Sequence, residues 1–306
     1  MFYLIFLLFL SSALSFDIYS VVNKINIPMR DKLNISTIFL ENKNTVKPPL
    51  LLIHGSDAGA WIYQEYWMDY FFENNISSYS VNMRGSFDTG NLDKNIVNFM
   101  DHVDDLEEII DYFDSNIKKP IVVAHSYGGL VLTKFLENKE NRKLIEGAIW
   151  LSSIPPSGEK SLRLRFFFRI KVLKVVLELL KGNFDSMVDK HRVIFYDKFT
   201  SSFDIIRFKD RLDLDSQIRL NISSISNNLP HKDNFTKDNL WENKDKKLVI
   251  GSYNDFIVDP YSIKETAKTV NSRYPIMLKE SGHNLMLGTS WDEAAFNIVK
   301  YVFECF

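Results

Sequence analysis

Residues 121–129 read Ile121-Val122-Val123-Ala124-His125-Ser126-Tyr127-Gly128-Gly129, with Pro120 in front of them. The first four are apolar and mostly β-branched, too few for a helix and suited to a buried strand. From Gly129 to Glu137 apolar residues return at helical spacing. A strand thus runs straight into a helix through a small-x-Ser-x-Gly-Gly turn. A serine on so sharp a turn needs small neighbours two residues to either side, and Ala124 and Gly128 supply them. The turn would lift the hydroxyl above the sheet edge, in front of the positive N-terminus of the helix. A plain strand-to-helix turn would look similar, so the reading needs partners elsewhere in the chain.

The same rhythm extends outward. Ile18–Ile27 and Leu33–Leu40 read as strands separated by the polar turn Pro28–Lys32. Leu50–Ile53 is a four-residue apolar run between Pro49 and His54-Gly55. Ile62–Asn74 carries aromatics at helical intervals, Ser78–Asn82 is another short strand, and Asn95–Ser115 is an amphipathic helix through Val103, Leu106, Ile110 and Phe113. Ala148–Leu151 and Leu248–Gly251 are further short strands, Tyr274–Leu278 is a final one, and Ala294–Phe303 is a closing helix. Nearly all-apolar strands alternating with helices predict an α/β fold around a mostly parallel sheet covered on both faces.

One stretch interrupts the alternation. Between residues 157 and 231 charge density rises, and Lys160, Arg163, Lys171, Lys174, Glu178 and Lys181 fall on one helical stripe opposite Phe166, Phe168, Leu173, Val176, Leu177 and Leu180. This predicts an inserted helical cap at 157–231, dividing the core into 16–156 and 232–306. A basic amphipathic helix of this kind also suits peripheral contact with a membrane surface.

Serine is a poor nucleophile unless a base takes its proton and a carboxylate holds that base in the right tautomer. Downstream, Leu248–Ile250 leads into Gly251-Ser252-Tyr253-Asn254-Asp255, which puts Asp255 at a strand's end. Glu280-Ser281-Gly282-His283-Asn284 then offers a loop histidine before the last helix. Of the six histidines, His102, His191 and His231 lie in polar surroundings and read as solvated, His125 is expected to pack beside the serine, and His54 belongs to a strand-end His-Gly pair. Asp259 competes with Asp255, but Pro260 after it marks a helix start. Catalysis is therefore assigned to Ser126, His283 and Asp255. The backbone N–H groups of Ser56 and Tyr127 are assigned as the oxyanion donors that acyl transfer needs, since Gly55 allows the tight turn after its strand.

Composition narrows the remaining possibilities. The 306 residues carry 37 Lys+Arg against 39 Asp+Glu, with 45% hydrophobic residues. These are ordinary globular proportions, with no basic excess for gripping nucleic acid phosphates. One cysteine, Cys305, leaves no internal disulfide framework and no cysteine-built metal site. Phe2–Leu10 is an unbroken apolar run, short of the roughly 20 residues that span a bilayer, and Ala13-Leu14-Ser15 fits a small-x-small cleavage site. Residues 1–15 are therefore expected to be a secretory signal that delivers the chain to the exterior or an endomembrane lumen. Membrane anchoring or a plastid destination is the alternative. The sequons at Asn34, Asn75, Asn221 and Asn234 are no more than the Asn, Ser and Thr content gives by chance.

His54-Gly55 with Ala60-Trp61, Met83-Arg84-Gly85, His125–Gly129, Ser152-Ser153-Ile154-Pro155-Pro156 and Gly282–Leu287 with Trp291 together resemble the α/β-hydrolase superfamily, in particular its small lipase- or esterase-like members. The order Ser, Asp, His is that superfamily's. Two departures are Ala124 in place of the usual first elbow glycine and Ser86 where histidine often follows Arg-Gly. The resemblance implies cofactor-free hydrolysis through an acyl-enzyme on Ser126. The substrate is expected to be a small-molecule ester or lipid, on the strength of the aromatic-rich Trp61–Phe72 segment and the apolar face of the cap. The same scaffold also serves thioesterases, amidases, C–C hydrolases and hydroxynitrile lyases, and a non-catalytic ligand-binding protein remains an alternative.

Overall fold

The computed structural model of the chain describes residues 22–56, 58–86, 89, 96–158, 162, 187–215, 219–236 and 243–306. The apolar segment expected to be a signal and the stripe from Lys160 to Lys181 lie outside the described residues. In chain order the first elements are β1 (Asn23–Pro28), β2 (Asn34–Leu40), β3 (Leu50–Ile53), α1 (Trp61–Gln64), α2 (Trp67–Glu73), β4 (Ser78–Val81), β5 (Ile96–Val97) and α3 (Phe99–Asn116). β6 (Ile121–His125), α4 (Tyr127–Phe135) and β7 (Gly147–Leu151) follow. After them come α5 (Met187–Phe195), α6 (Ser202–Asp215), β8 (Arg219–Leu220), α7 (Ile222–Asn227) and α8 (Asp233–Thr236). The chain closes with β9 (Lys247–Ser252), α9 (Pro260–Thr269), β10 (Ile276–Leu278) and α10 (Trp291–Cys305).

Eight strands form one sheet in the order β1-β2-β4-β3-β6-β7-β9-β10. The hairpin β1–β2 is antiparallel and joins β4 antiparallel, and every pairing from β4 to β10 is parallel. Strand residues alternate between two apolar layers, as the two-residue period of a strand requires. Leu51, Ile53, Val122, Ala124, Ala148 and Trp150 face a layer closed by α3, α4 and α9. Leu50, Leu52, Ile121, Val123, Ile149 and Leu151 face the other, closed by α1, α2 and α10. With both faces covered, nearly every central strand position is apolar. Ile53 pairs with Ala124 and Leu151 with Ile250, so β3, β6, β7 and β9 end together and their following loops share one edge.

Three local expectations are corrected. The helix read at Ile62–Asn74 is two short helices, because the chain breaks at Glu65-Tyr66 and the Glu65 carboxylate takes Arg207 Nη1 of α6 at 2.7 Å. The helix read from Asn95 starts at Phe99, where Asn98 and Asp101 form a reciprocal capping box. Ile96 and Val97 instead pair in parallel with Arg219 and Leu220. The rings of Trp61–Phe72, taken as a sign of a lipophilic substrate, mostly build the core: Tyr63, Trp67 and Phe71 are fully buried, and Tyr66 stacks on Trp291 at 5.2 Å. The described parts of 157–231 divide between the two layers, with Tyr196, Ile205 and Phe208 in one and Ile225 in the other. Among the described residues no helix is long and apolar enough to cross a membrane.

Candidate active site

Ser126 stands between β6 and α4 with φ 51° and ψ −116°, in the left-handed half of backbone space that a β-substituted residue avoids. Holding it there costs on the order of 1–3 kcal/mol. The neighbouring backbone supplies the restraint. The Ser126 amide donates to the Leu151 carbonyl at 2.9 Å, and the Ser126 carbonyl accepts from the amides of Gly129 and Ile154 at 3.1 Å each. Gly128 is required by close approach, since a β-carbon there would collide with the His54 carbonyl oxygen. The small residue read from the sequence at Gly128 therefore has a packing reason.

The structure brings Ser126, His283 and Asp255 together in one hydrogen-bonded chain. Ser126 Oγ lies 3.0 Å from His283 Nε2, and His283 Nδ1 lies 2.9 Å from Asp255 Oδ2. A carboxylate only accepts, so the imidazole proton sits on Nδ1 and the Nε2 lone pair faces the serine hydroxyl. Asp255 is fully buried, and its Oδ1 accepts the amides of Ile257 and Val258 at 2.8 Å each. The carboxylate is thereby fixed with its second oxygen toward the imidazole. Asp259 caps α9 instead, accepting from the Ser262 amide at 2.8 Å, as its sequence position suggested. His125 packs beside the chain, its ring centroid 4.8 Å from that of His283, and its Nε2–H donates to the His283 carbonyl at 3.1 Å.

Ser56 and Tyr127 flank the serine from two sides. A β-carbon on Gly55 would stand 3.1 Å from Ser126 Cβ, which puts Gly55 beside the serine. His54 orients the Gly55–Ser56 peptide. Its Nε2 accepts the Met83 amide at 2.9 Å, so the proton is on Nδ1 and is donated to the Gly55 carbonyl at 2.7 Å. In a trans peptide the next N–H points the opposite way, and that group is the Ser56 amide. The Ser56 amide makes no hydrogen bond among the described residues. Burial pushes the His54 imidazole down to about 4, so it is neutral when it makes these bonds. Ser86 Oγ lies 3.1 Å from the same Nε2, which gives the serine found after Arg-Gly a place in this loop lock.

His102 overturns the expectation of a solvated residue. It is 4% exposed, with Nε2–H donating to the Arg84 carbonyl at 2.8 Å and Nδ1 accepting from the Tyr127 hydroxyl at 2.9 Å. Burial lowers it too to about 4. Arg84 in turn forks onto Asp105 at 2.6 and 2.9 Å and reaches Asp31 at 2.6 Å. The residue after Ser126 is thus anchored through α3 to the far end of the sheet. His231 is exposed, as expected, whereas His191 is half-buried, with Nδ1 2.9 Å from the Met187 carbonyl. Among the described residues no group of three or more His, Cys, Asp or Glu is placed to hold a metal ion.

Residues 44–287 match the family model Hydrolase_4, described as serine aminopeptidase, S33. No curated protein sequence matches the chain. Among solved structures, the fold is similar to an esterase from Exiguobacterium antarcticum (TM-score 0.68, 17% identity, covering 92% of this chain and 100% of that one). It is also similar to VinJ (TM-score 0.69, 15% identity, 93% and 99%). A bromoperoxidase from Bacillus anthracis is similar as well (TM-score 0.62, 15% identity, 92% and 99%).

Proposed function

The chain belongs to the Hydrolase_4 family and is an α/β hydrolase, and from that premise we propose that it cleaves a carboxylic ester of a small molecule through Ser126. The observation that carries the reading is the unbroken chain from Ser126 Oγ through His283 to Asp255 at 3.0 and 2.9 Å. His283 Nε2 takes the hydroxyl proton as Ser126 Oγ attacks the acyl carbon, and Asp255 stabilises the imidazolium that forms. The carbonyl oxygen gains negative charge in that step, and the amides of Ser56 and Tyr127 donate to it. Preorganised donors of this kind are worth about 3–4 kcal/mol each in a transition state. His283 then gives the proton to the departing alkoxide, and water, deprotonated by the same imidazole, releases the acid from the acyl-enzyme. The imidazole passes the water proton to Ser126 Oγ as the acid leaves, so the original serine proton departs with the alcohol and one from water replaces it; ester and water give acid and alcohol, and Ser126 and His283 return to their starting protonation states.

The family description names an aminopeptidase, and an amide is the second reading to be separated from an ester. Purified full-length protein and Ser126→Ala should be compared on short and long p-nitrophenyl esters, on aminoacyl p-nitroanilides, and for covalent labelling by a fluorophosphonate. The expected result is ester turnover and labelling by the native protein and neither by Ser126→Ala. Equal turnover by the two proteins overturns the nucleophile, and turnover of anilides in preference to esters overturns the ester assignment.

A further inference from the structure

The loop that carries His283 is gripped by a segment from the inserted region. The Asn284 amide donates to the Phe195 carbonyl at 2.9 Å, at the last residue of α5. Gly282, on the other side of His283, lies so close to the Tyr196 backbone that a β-carbon would collide with it. Asp197 completes the contact. Its Oδ1 accepts the Phe199 amide and the Thr289 hydroxyl at 2.8 Å each, and its Oδ2 accepts the Thr289 amide at 2.8 Å and the Thr200 hydroxyl at 3.0 Å. Asp197 is 3% exposed, and Gly288 adopts φ 88° with no room for a side chain against Oδ2.

Resting on the serine hydrolase reading, we propose that Asp197 is a positioning residue that fastens the His283 loop to the end of α5 and so keeps Nε2 within reach of Ser126. The donor arrangement requires a carboxylate. Each oxygen receives one backbone N–H, from Phe199 on one side and Thr289 on the other, so both must be acceptors. An asparagine must turn its NH2 toward one of those N–H groups, and the loop is displaced on that side. A shift of about 1 Å in a reacting group is enough to lower a rate roughly a hundredfold. The consequence is that the end of α5 holds the base, and any movement of that end is transmitted to His283.

The test compares native protein, Asp197→Asn, Thr289→Val and Val299→Ala, the last a buried α10 residue outside the contact whose truncation lowers Tm without touching the loop. Two quantities are read per folded molecule: the rate of fluorophosphonate labelling, and the low-field proton NMR resonance of His283 Nδ1–H. Asp197→Asn is expected to label at least about tenfold more slowly with the resonance broadened or lost, and Thr289→Val to move both less in the same direction. Val299→Ala should keep both native values. Asp197→Asn behaving as native, or Val299→Ala falling equally at matched Tm, overturns the proposal. If Asp197→Asn does not fold, Thr289→Val decides. If the native protein is not labelled at all, the hydrolase reading fails, and the resonance still decides the role of Asp197.

Discussion

The Tyr127 hydroxyl donates to His102 Nδ1 across 2.9 Å, and this one bond ties the residue after Ser126 to the first turn of α3. Removing the imidazole leaves a buried phenol proton and the Arg84 carbonyl without their partners. Each orphaned group costs about 1–3 kcal/mol. His102→Ala should therefore lose about 3 kcal/mol in urea unfolding, with no change in m. His102→Gln, which keeps one donor and one acceptor, should lose less.

Stability should also fall with acid before the carboxylates are consumed. His54 and His102 are held at about 4 by burial, and burial lowers His125 as well, against 6.5 for the unfolded chain. Between pH 6.5 and 4 the unfolded chain binds more protons than the native one, so the stability present above pH 6.5 is lost as pH falls through this window. The loss is on the order of a few kcal/mol. Thermal melts from pH 7.5 to 4 should show Tm flat at first and then falling, with a shallower fall in His102→Gln.

Asp255→Asn is expected to lower kcat by about 10⁴ with little change in KM or Tm. The amides of Ile257 and Val258 will hold the asparagine carbonyl oxygen, as they hold Oδ1 now. Its NH2 then faces His283 Nδ1, the imidazole proton moves to Nε2, and the serine hydroxyl has no acceptor. Steady-state ester hydrolysis checks the split between kcat and KM.

Gly128→Ala should damage both stability and rate. The new methyl meets the His54 carbonyl, a backbone atom that cannot rotate away, and stands 3.0 Å from Ile53 Cγ2. Overpacking of this kind costs about 1–3 kcal/mol. Because the displaced backbone leads into the Ser56 amide, a kcat loss of about 10² is expected as well, the loss that follows removal of one oxyanion donor.

Apart from β1, read from Ile18 although it begins at Asn23, and the two-residue strands β5 and β8, not read as strands at all, strand positions were legible to within two residues, because Pro49, Pro120 and the His-Gly pair punctuate short apolar runs that have no other stable use. Ser126, Asp255 and His283 were legible because each follows a strand in a distinctive short context. His102 was misread from its acidic neighbours, although its spacing from Phe99, Leu106 and Phe113 puts it on the buried stripe of α3. That periodicity was the available signal, outweighed by residue type. The break at Glu65 and the role of Asp197 had no local signal. Both depend on partners more than 90 residues away, Arg207 for the first and Thr289 for the second. The lipophilic substrate was inferred from rings that the core consumes.

Ser126 and His283 are 157 residues apart in the chain, and Asp255 and His283 are 28 apart. They meet only when β6, β9 and the loop after β10 have all docked. With Ser126 as the proposed nucleophile, a half-assembled molecule has an inert alcohol, and one bearing a covalent tag at Ser126 has brought all three of these parts together. In a cell extract, the tagged fraction would serve as a census of correctly finished copies.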